Sequence, residues 1–365
     1  MTKNKKFIPW SNPIFGKAEF EEIKDCFKSQ RFTSGSKVKK FEQTISEFLN
    51  VKYAVAVTNG TVALDLALKS IGVGPGDEVI IPAISYFSTA SSISYQFAIP
   101  VFVDINNDYN IDASKIEKAI TKKTKAIIYI DYGGKPSEIN KINIIGKKYN
   151  IRVIQDAAQS LGGIYNKNNL GANSEISTMS FHMAKIITTI EGGMIFTKNK
   201  NIYDKIVTLR NIGERTSKKY FHYEIGTNAR MTEINAGIGL AQFKKLQTFV
   251  KKRNHIAKIY DEYFNNYSHK IVTRKKTIRG DLNSYFFYPI LINNRNKIAN
   301  LLKEKYLIDT RVAYPLPIYK QPIYMKNKFK YKKFNCANSE RISKKILNIP
   351  IYPELSINQV KYIAE

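Results

Sequence analysis

The sequence predicts an α/β protein: a large domain built on a mainly parallel sheet, followed by a smaller C-terminal α+β domain. Two observations carry this. Between about residues 38 and 245, short β-branched runs bounded by turn residues alternate with amphipathic runs whose apolar residues recur at three and four. Beyond about residue 245 the texture changes to one long helical pattern and then a Pro-punctuated, Tyr-rich tail. Near-continuous apolar strands between helical patterns mark a parallel sheet covered on both faces. The 365 residues suffice for two domains, divided by the change of texture into 1–245 and 246–365.

Each element follows from local chemistry. Glu42 to Leu49 and Thr61 to Ile71 carry helical spacing. AVAVTNGTVALDLAL (54–68) reads as a strand, an Asn59-Gly60 turn and a helix opening at Thr61. GVGPG (72–76) follows a helix, so it is a helix stop and not a dinucleotide fingerprint. DEVIIP (77–82), residues 101–104, KAIIYID (125–131), RVIQD (152–156), residues 178–181 and MIFT (194–197) are the apolar strands. In the second part, a helix runs from Leu246 to about Tyr267, SYFFYPILI (284–292) is extended, and a helix covers about 298–306. The prolines of YPLPIY (314–319) and NIPIYPEL (348–355) exclude long helices there.

Composition narrows the function classes. Hydrophobic residues make up 43% of the chain and aromatics 12%, as in globular proteins, and no apolar run approaches the ~20 residues that span a bilayer. The basic start MTKNKKFIPW has no apolar segment behind it, so no signal peptide is expected. Cys26 and Cys336 are too few for a disulfide framework or a metal site, which points to a reducing cytoplasm. His182, His222, His255 and His269 lack metal-ligand spacing. The net charge of +28 is spread as lysine, densest in KKRNHIAK (251–258) and MKNKFKYKKF (325–334). Such runs are usually solvated faces, and no nucleic-acid motif accompanies them. No specific nucleic acid is therefore expected as a partner.

In open parallel sheets, ligands bind beyond the carboxyl ends of the strands. Asp156 ends one strand, with Gln159 a short turn on; spacing alone leaves a helix cap and a ligand contact equally open. Lys185 follows another strand that ends near Ser180. Gly60 and Thr61 open a helix whose free N–H groups and dipole suit a phosphate, and Tyr86 follows a further strand end. A carboxylate, an amine, a phosphate seat and an aromatic plate are the groups that pyridoxal 5′-phosphate requires.

These stretches resemble the DegT/DnrJ/EryC1/StrS family of sugar aminotransferases, fold-type I pyridoxal-phosphate enzymes with an aspartate-aminotransferase-like large domain. The likeness runs almost end to end, through FIPWSNPIFG (7–16), RFTSGSKVKKFE (31–42), NGTVALDLAL (59–68), GVGPGDEVIIPAISYFSTA (72–90), PVFVDI (100–105), QDAAQSLGG (155–163), SFHMAKIITTIEGG (180–193) and GTNARMTEINAGIGLAQ (226–242). The resemblance implies that Lys185 carries the cofactor as an imine, that Asp156 partners the ring nitrogen, and that Gln159 lies near the ring's 3′-oxygen. It implies Gly60, Thr61 and Ser180 as the phosphate seat and Tyr86 as the stacking aromatic. It also implies that Asn228 reaches the phosphate of a neighbouring subunit, hence a homodimer with shared sites. The implied reaction moves an amino group from an amino acid, L-glutamate by the resemblance, to a ketone on a nucleotide-linked sugar, for surface glycans such as O-antigen or capsule. Some members replace the lysine with histidine and act as dehydratases; Lys185 argues against that here. His182 is a pocket neighbour, and Arg230 either faces substrate or is structural. Two departures, Tyr319 after the YPLP turn and DYGG (131–134), bear on the sugar site. Two other readings are amination of a different ketone, such as a cyclitol or a small phosphorylated ketone, and a cofactor-binding regulator that uses its basic surface.

Overall fold

The computed structural model describes residues 6–365 apart from 216, 275, 276, 278, 279 and 327. Its centre is an eight-stranded sheet in the order Tyr53–Val57, Gly193–Thr197, Ile176–Ser180, Arg152–Asp156, Thr124–Ile130, Glu78–Pro82, Ile99–Val103, Lys332–Lys333. Gly193–Thr197 alone runs antiparallel to its neighbours, so the sheet is mainly parallel as expected. The expected strands are all present, with ends displaced by a residue or two. They are legible because they are buried on both faces: every residue of Glu78–Pro82 and of Gly193–Thr197 is buried. One face packs on the helix Gly60–Ser70 through Leu64, Ala67 and Leu68. The other packs on Ser36–Leu49 through Phe41 and Ile45, and on Ile139–Tyr149 through Ile142.

A second, antiparallel sheet orders Ile271–Thr273, Tyr288–Ile292 and Ile346–Ile349. The helices Leu246–Asn265, Arg295–Tyr306 and Ile357–Ala364 accompany it, and the first and last of these join its core through Tyr260, Phe264, Val360 and Ile363. Of the run expected to be extended at 284–292, only Tyr288–Ile292 forms a strand. Before it, Asn283 Oδ1 accepts from Tyr285 N at 2.8 Å and Ser284 Oγ donates to the Gln159 carbonyl at 3.1 Å. These side-chain bonds replace a ladder and turn the chain toward the strand ends of the main sheet. Among the described residues no helix is long and apolar enough to cross a membrane.

Candidate active site

The strand register fixes the site. Val57, Gly193 and Ser180 stand side by side at one edge of the main sheet, and Asp156 stands beside Thr178. Immediately past Val57 the chain turns through Asn59 into the helix Gly60–Ser70. Asn59 caps it, its Oδ1 accepting from Val62 N at 2.9 Å, while its carbonyl accepts from Ala63 N at 3.1 Å. Among the described residues the N–H groups of Gly60 and Thr61 find no acceptor, so an anion-binding helix end remains open. Thr61 Oγ1 lies 2.6 Å from Ser88 Oγ. A Cβ at Gly60 would sit 2.8 Å from Ser180 Cβ, so glycine is what lets the helix start and Ser180 share one concavity.

Asp156 is buried at the end of its strand. Its Oδ1 accepts from Ala158 N at 3.1 Å, and Thr89 Oγ1 makes a long 3.5 Å contact with its Oδ2. Burial raises its pKa, opposed by the Ala158 N–H, the Lys185 charge and Thr89. The carboxylate thus has less hydrogen bonding than its desolvation demands, and a cationic group beside it would supply the remainder.

Lys185 rides on a loop fastened by hydroxyls. Thr188 Oγ1 and Thr189 N donate to the Phe181 carbonyl at 3.2 and 2.9 Å, and Thr189 Oγ1 donates to the Glu191 carbonyl at 2.8 Å. Ile186 and Ile187 anchor the same loop in the core. The lysine is half-buried, with Nζ 4.5 Å from the centroid of the Phe286 ring. Desolvation lowers its pKa to about 8 against the pull of Asp156. Such an amine is about one-tenth neutral at pH 7, against roughly one in a few thousand for an ordinary lysine.

Gln159 is buried and oriented from both ends: its Oε1 accepts from Gly133 N at 2.7 Å and its Nε2 donates to Tyr314 Oη at 3.3 Å. The DYGG segment therefore positions Gln159. Gly133, at φ +64°, turns its N–H onto the amide, and Asp131 accepts from Ser137 N, Gln155 Nε2 and Ser160 Oγ at 2.9, 2.7 and 3.1 Å. Burial lifts the Asp131 pKa to about 6, against those hydrogen bonds.

Other residues singled out in the sequence lie at the rim or elsewhere. The Tyr86 ring is 60% exposed and stands 6.2 Å from Tyr314. Asn228 is exposed, on a strip whose next residue, Ala229, accepts from Thr58 N at 3.1 Å. The Arg230 guanidinium donates to Asn211 Oδ1 at 2.7 Å, a structural partner. His182 Nε2 is 3.7 Å from Glu191 Oε1. Tyr319 is buried against Phe102 and donates to Glu340 at 2.8 Å, so it belongs to the core. Sequence reasoning did not single out Tyr314, Phe286, Thr89 or Ser88. The first two were visible only as aromatics in Pro-containing runs, and nothing in their spacing marks the contacts they make.

With this geometry in hand, comparison gives the class and then the family. GDP-perosamine synthase of Escherichia coli O157:H7 is 37% identical to the chain over 365 residues, covering 99% of this chain and 97% of that one. The solved structure of Helicobacter pylori PseC, an aminotransferase involved in the biosynthesis of pseudoaminic acid, matches with a TM-score of 0.91 at 29% identity, covering 98% of this chain and 97% of the other. Spr1654 of Streptococcus pneumoniae, solved in its PLP-form, matches with a TM-score of 0.89 at 28% identity, covering 98% and 97%. The fold is that of the fold-type I aminotransferases. The chain belongs to the DegT/DnrJ/EryC1/StrS aminotransferase family, which it matches over residues 13–365.

Proposed function

We propose that the protein is a pyridoxal-phosphate-dependent aminotransferase that moves an amino group from L-glutamate to the keto group of a nucleotide-linked deoxysugar. The observation that carries this reading is the pairing of a desolvated, partly neutral Lys185 with a buried, under-satisfied Asp156 beside an open helix N-terminus. The residues fit the cofactor. Lys185 Nζ would hold it covalently, Asp156 would face its ring nitrogen, and Gln159 would orient its ring oxygen. Gly60, Thr61 and Ser180 would seat its phosphate, and Tyr86 would cover its ring. When bound, pyridoxal phosphate supplies an electron sink for the carbon next to the amine.

The chain's own residues do the rest. Asp156 favours a protonated partner because its charge is otherwise poorly compensated. Lys185 Nζ, once free, takes a proton from the α-carbon of the donor and later delivers one to the carbon of the sugar that receives the amine. A pKa near 8 suits both directions, since neither form of the amine is scarce near neutral pH. Gln159 is oriented at both ends, its side-chain carbonyl accepting from Gly133 N and its amide donating to Tyr314 Oη.

We infer further that two copies share their sites. Tyr220, Phe221, Tyr223 and Ile225 are all exposed, with Tyr220 and Ile225 each at 84%, and a sequence of exposed apolar side chains of this kind usually meets another protein. Asn228, exposed three residues further on, then reaches the partner's phosphate seat. A cytoplasmic location accords with two cysteines that are both free and buried.

The direct test is to incubate the protein with pyridoxal phosphate, L-glutamate and a panel of nucleotide-linked 4-keto and 3-keto deoxysugars, and to measure 2-oxoglutarate together with the amino sugar. Equal yields of both products on one of these sugars are expected. Turnover confined to a cyclitol ketone or a small phosphorylated ketone would replace the nucleotide-sugar reading.

A further inference from the structure

A cavity of about 420 Å³ opens where the second sheet meets the turn after Ile99–Val103, and no residue of the Lys185 site lines it. Three cations do: Lys270, immediately before the edge strand, and Arg341 and Lys345, one helical turn apart on Ala337–Lys345. None of the described residues that line it is acidic. Among the described residues none of the three cations is paired with a carboxylate; Arg341 Nη2 donates only to the amide oxygens of Asn107 and Asn338, at 3.4 and 2.5 Å. Val272 and Leu291 give the cavity an apolar wall, and Asn107 adds an amide.

Like charges brought together without counter-charge cost free energy, which an anion between them recovers. Arg341 has the planar fork that grips phosphate oxygens, and the two lysines add point charges at its flanks. The volume falls within the ~300–1,000 Å³ of small-molecule sites and exceeds what a lone phosphate fills. We propose that this cavity is a second binding site, separate from the catalytic one, for a small diphosphate-bearing molecule. The phosphates lie among Lys270, Arg341 and Lys345, and any organic portion lies along Val272 and Leu291.

The test is isothermal titration of the full-length protein, saturated with pyridoxal phosphate, with inorganic pyrophosphate and separately with guanosine and uridine diphosphates. The comparison is with the combined variant Lys270→Ala, Arg341→Ala and Lys345→Ala. In the wild type at least one diphosphate ligand binds at a class of sites that the variant loses or binds about tenfold or more weakly, as expected when several charge-assisted hydrogen bonds go. Tighter binding of the nucleotides than of pyrophosphate assigns the organic wall a role; equal binding assigns the site to the inorganic anion. Isotherms identical in wild type and variant, or no binding by any of the three ligands, overturn the proposal. Should the combined variant melt early, Lys270→Ala alone, at an exposed position, gives the same comparison in a folded chain. The difference between the two proteins is read from binding heat alone, so it stands whether or not the catalytic reading does.

Discussion

At the residue scale, an amine and a carboxyl at the site are shifted because water is taken away from them. Lys185 is pushed to a pKa of about 8 by desolvation, against the opposing pull of Asp156. Only the neutral amine can attack a carbonyl, so capture of pyridoxal phosphate by the cofactor-free chain should quicken as pH rises through 8 and then level off. Between pH 7 and 8 the gain should be about fivefold. Stopped-flow absorbance measures it, and a rate still climbing at pH 10 would show an ordinary lysine. Asp156→Asn keeps the shape but removes the charge that, on the proposed function, favours a protonated ring, and should lower amine transfer about a hundredfold or more with little loss of fold. Gly60→Ala would press its Cβ to 2.8 Å from Ser180 Cβ. Titration with pyridoxal phosphate should then show affinity lowered about tenfold or more, because the helix start can no longer close on a phosphate.

At the scale of elements, the helix Ser36–Leu49 shows how a distant residue decides a local structure. It has no side-chain cap of its own. Instead Glu233 Oε1 accepts from Gly35 N and Val38 N, and its Oε2 from Lys37 N, all at 2.9 Å. Glu233→Gln would turn an amide donor toward these donors and should cost about 2 kcal/mol, lowering the melting temperature by a few degrees in calorimetry. The element types of the main sheet were legible because its strands are apolar along their whole length, and Asp156 and Lys185 stood out as polar groups where such strands end. The cap on Gly35 was not legible, since its partner lies 198 residues away. Nor was the pairing of Gln159 with Tyr314, 155 residues apart. The helices Lys17–Ser29, Ala337–Lys345 and Ile357–Ala364 also went unread: the first two bury only two or three side chains each, and the last is eight residues long.

For the whole molecule, sheet order was beyond the sequence because it depends on which strands meet, not on what each contains. It nonetheless shapes the candidate site: Ile176–Ser180 sits between Arg152–Asp156 and Gly193–Thr197, and this order brings Ser180 to Gly60. We propose the division near residue 245 as that between two folding units, with Ile8 pairing with Ile308, Ile164 pairing with Leu282 and Lys332–Lys333 joining the edge of the main sheet among the pieces that cross it. The proposed dimer makes its own prediction. Placing charge among the exposed apolar side chains, as in Tyr220→Asp with Ile225→Asp, should shift sedimentation velocity from dimer toward monomer and reduce turnover with it. A wild-type protein that sediments as a monomer would remove the role given to Asn228.

The central claim is that Lys185, among 58 lysines and arginines, is the residue that binds the cofactor. Borohydride reduction after addition of pyridoxal phosphate, followed by peptide mass mapping, tests it most directly. One phosphopyridoxyl group per chain is expected, on the peptide containing Lys185, and none in Lys185→Ala. A label on another lysine, or labelling scattered over the surface lysines with Lys185 unmodified, would contradict it.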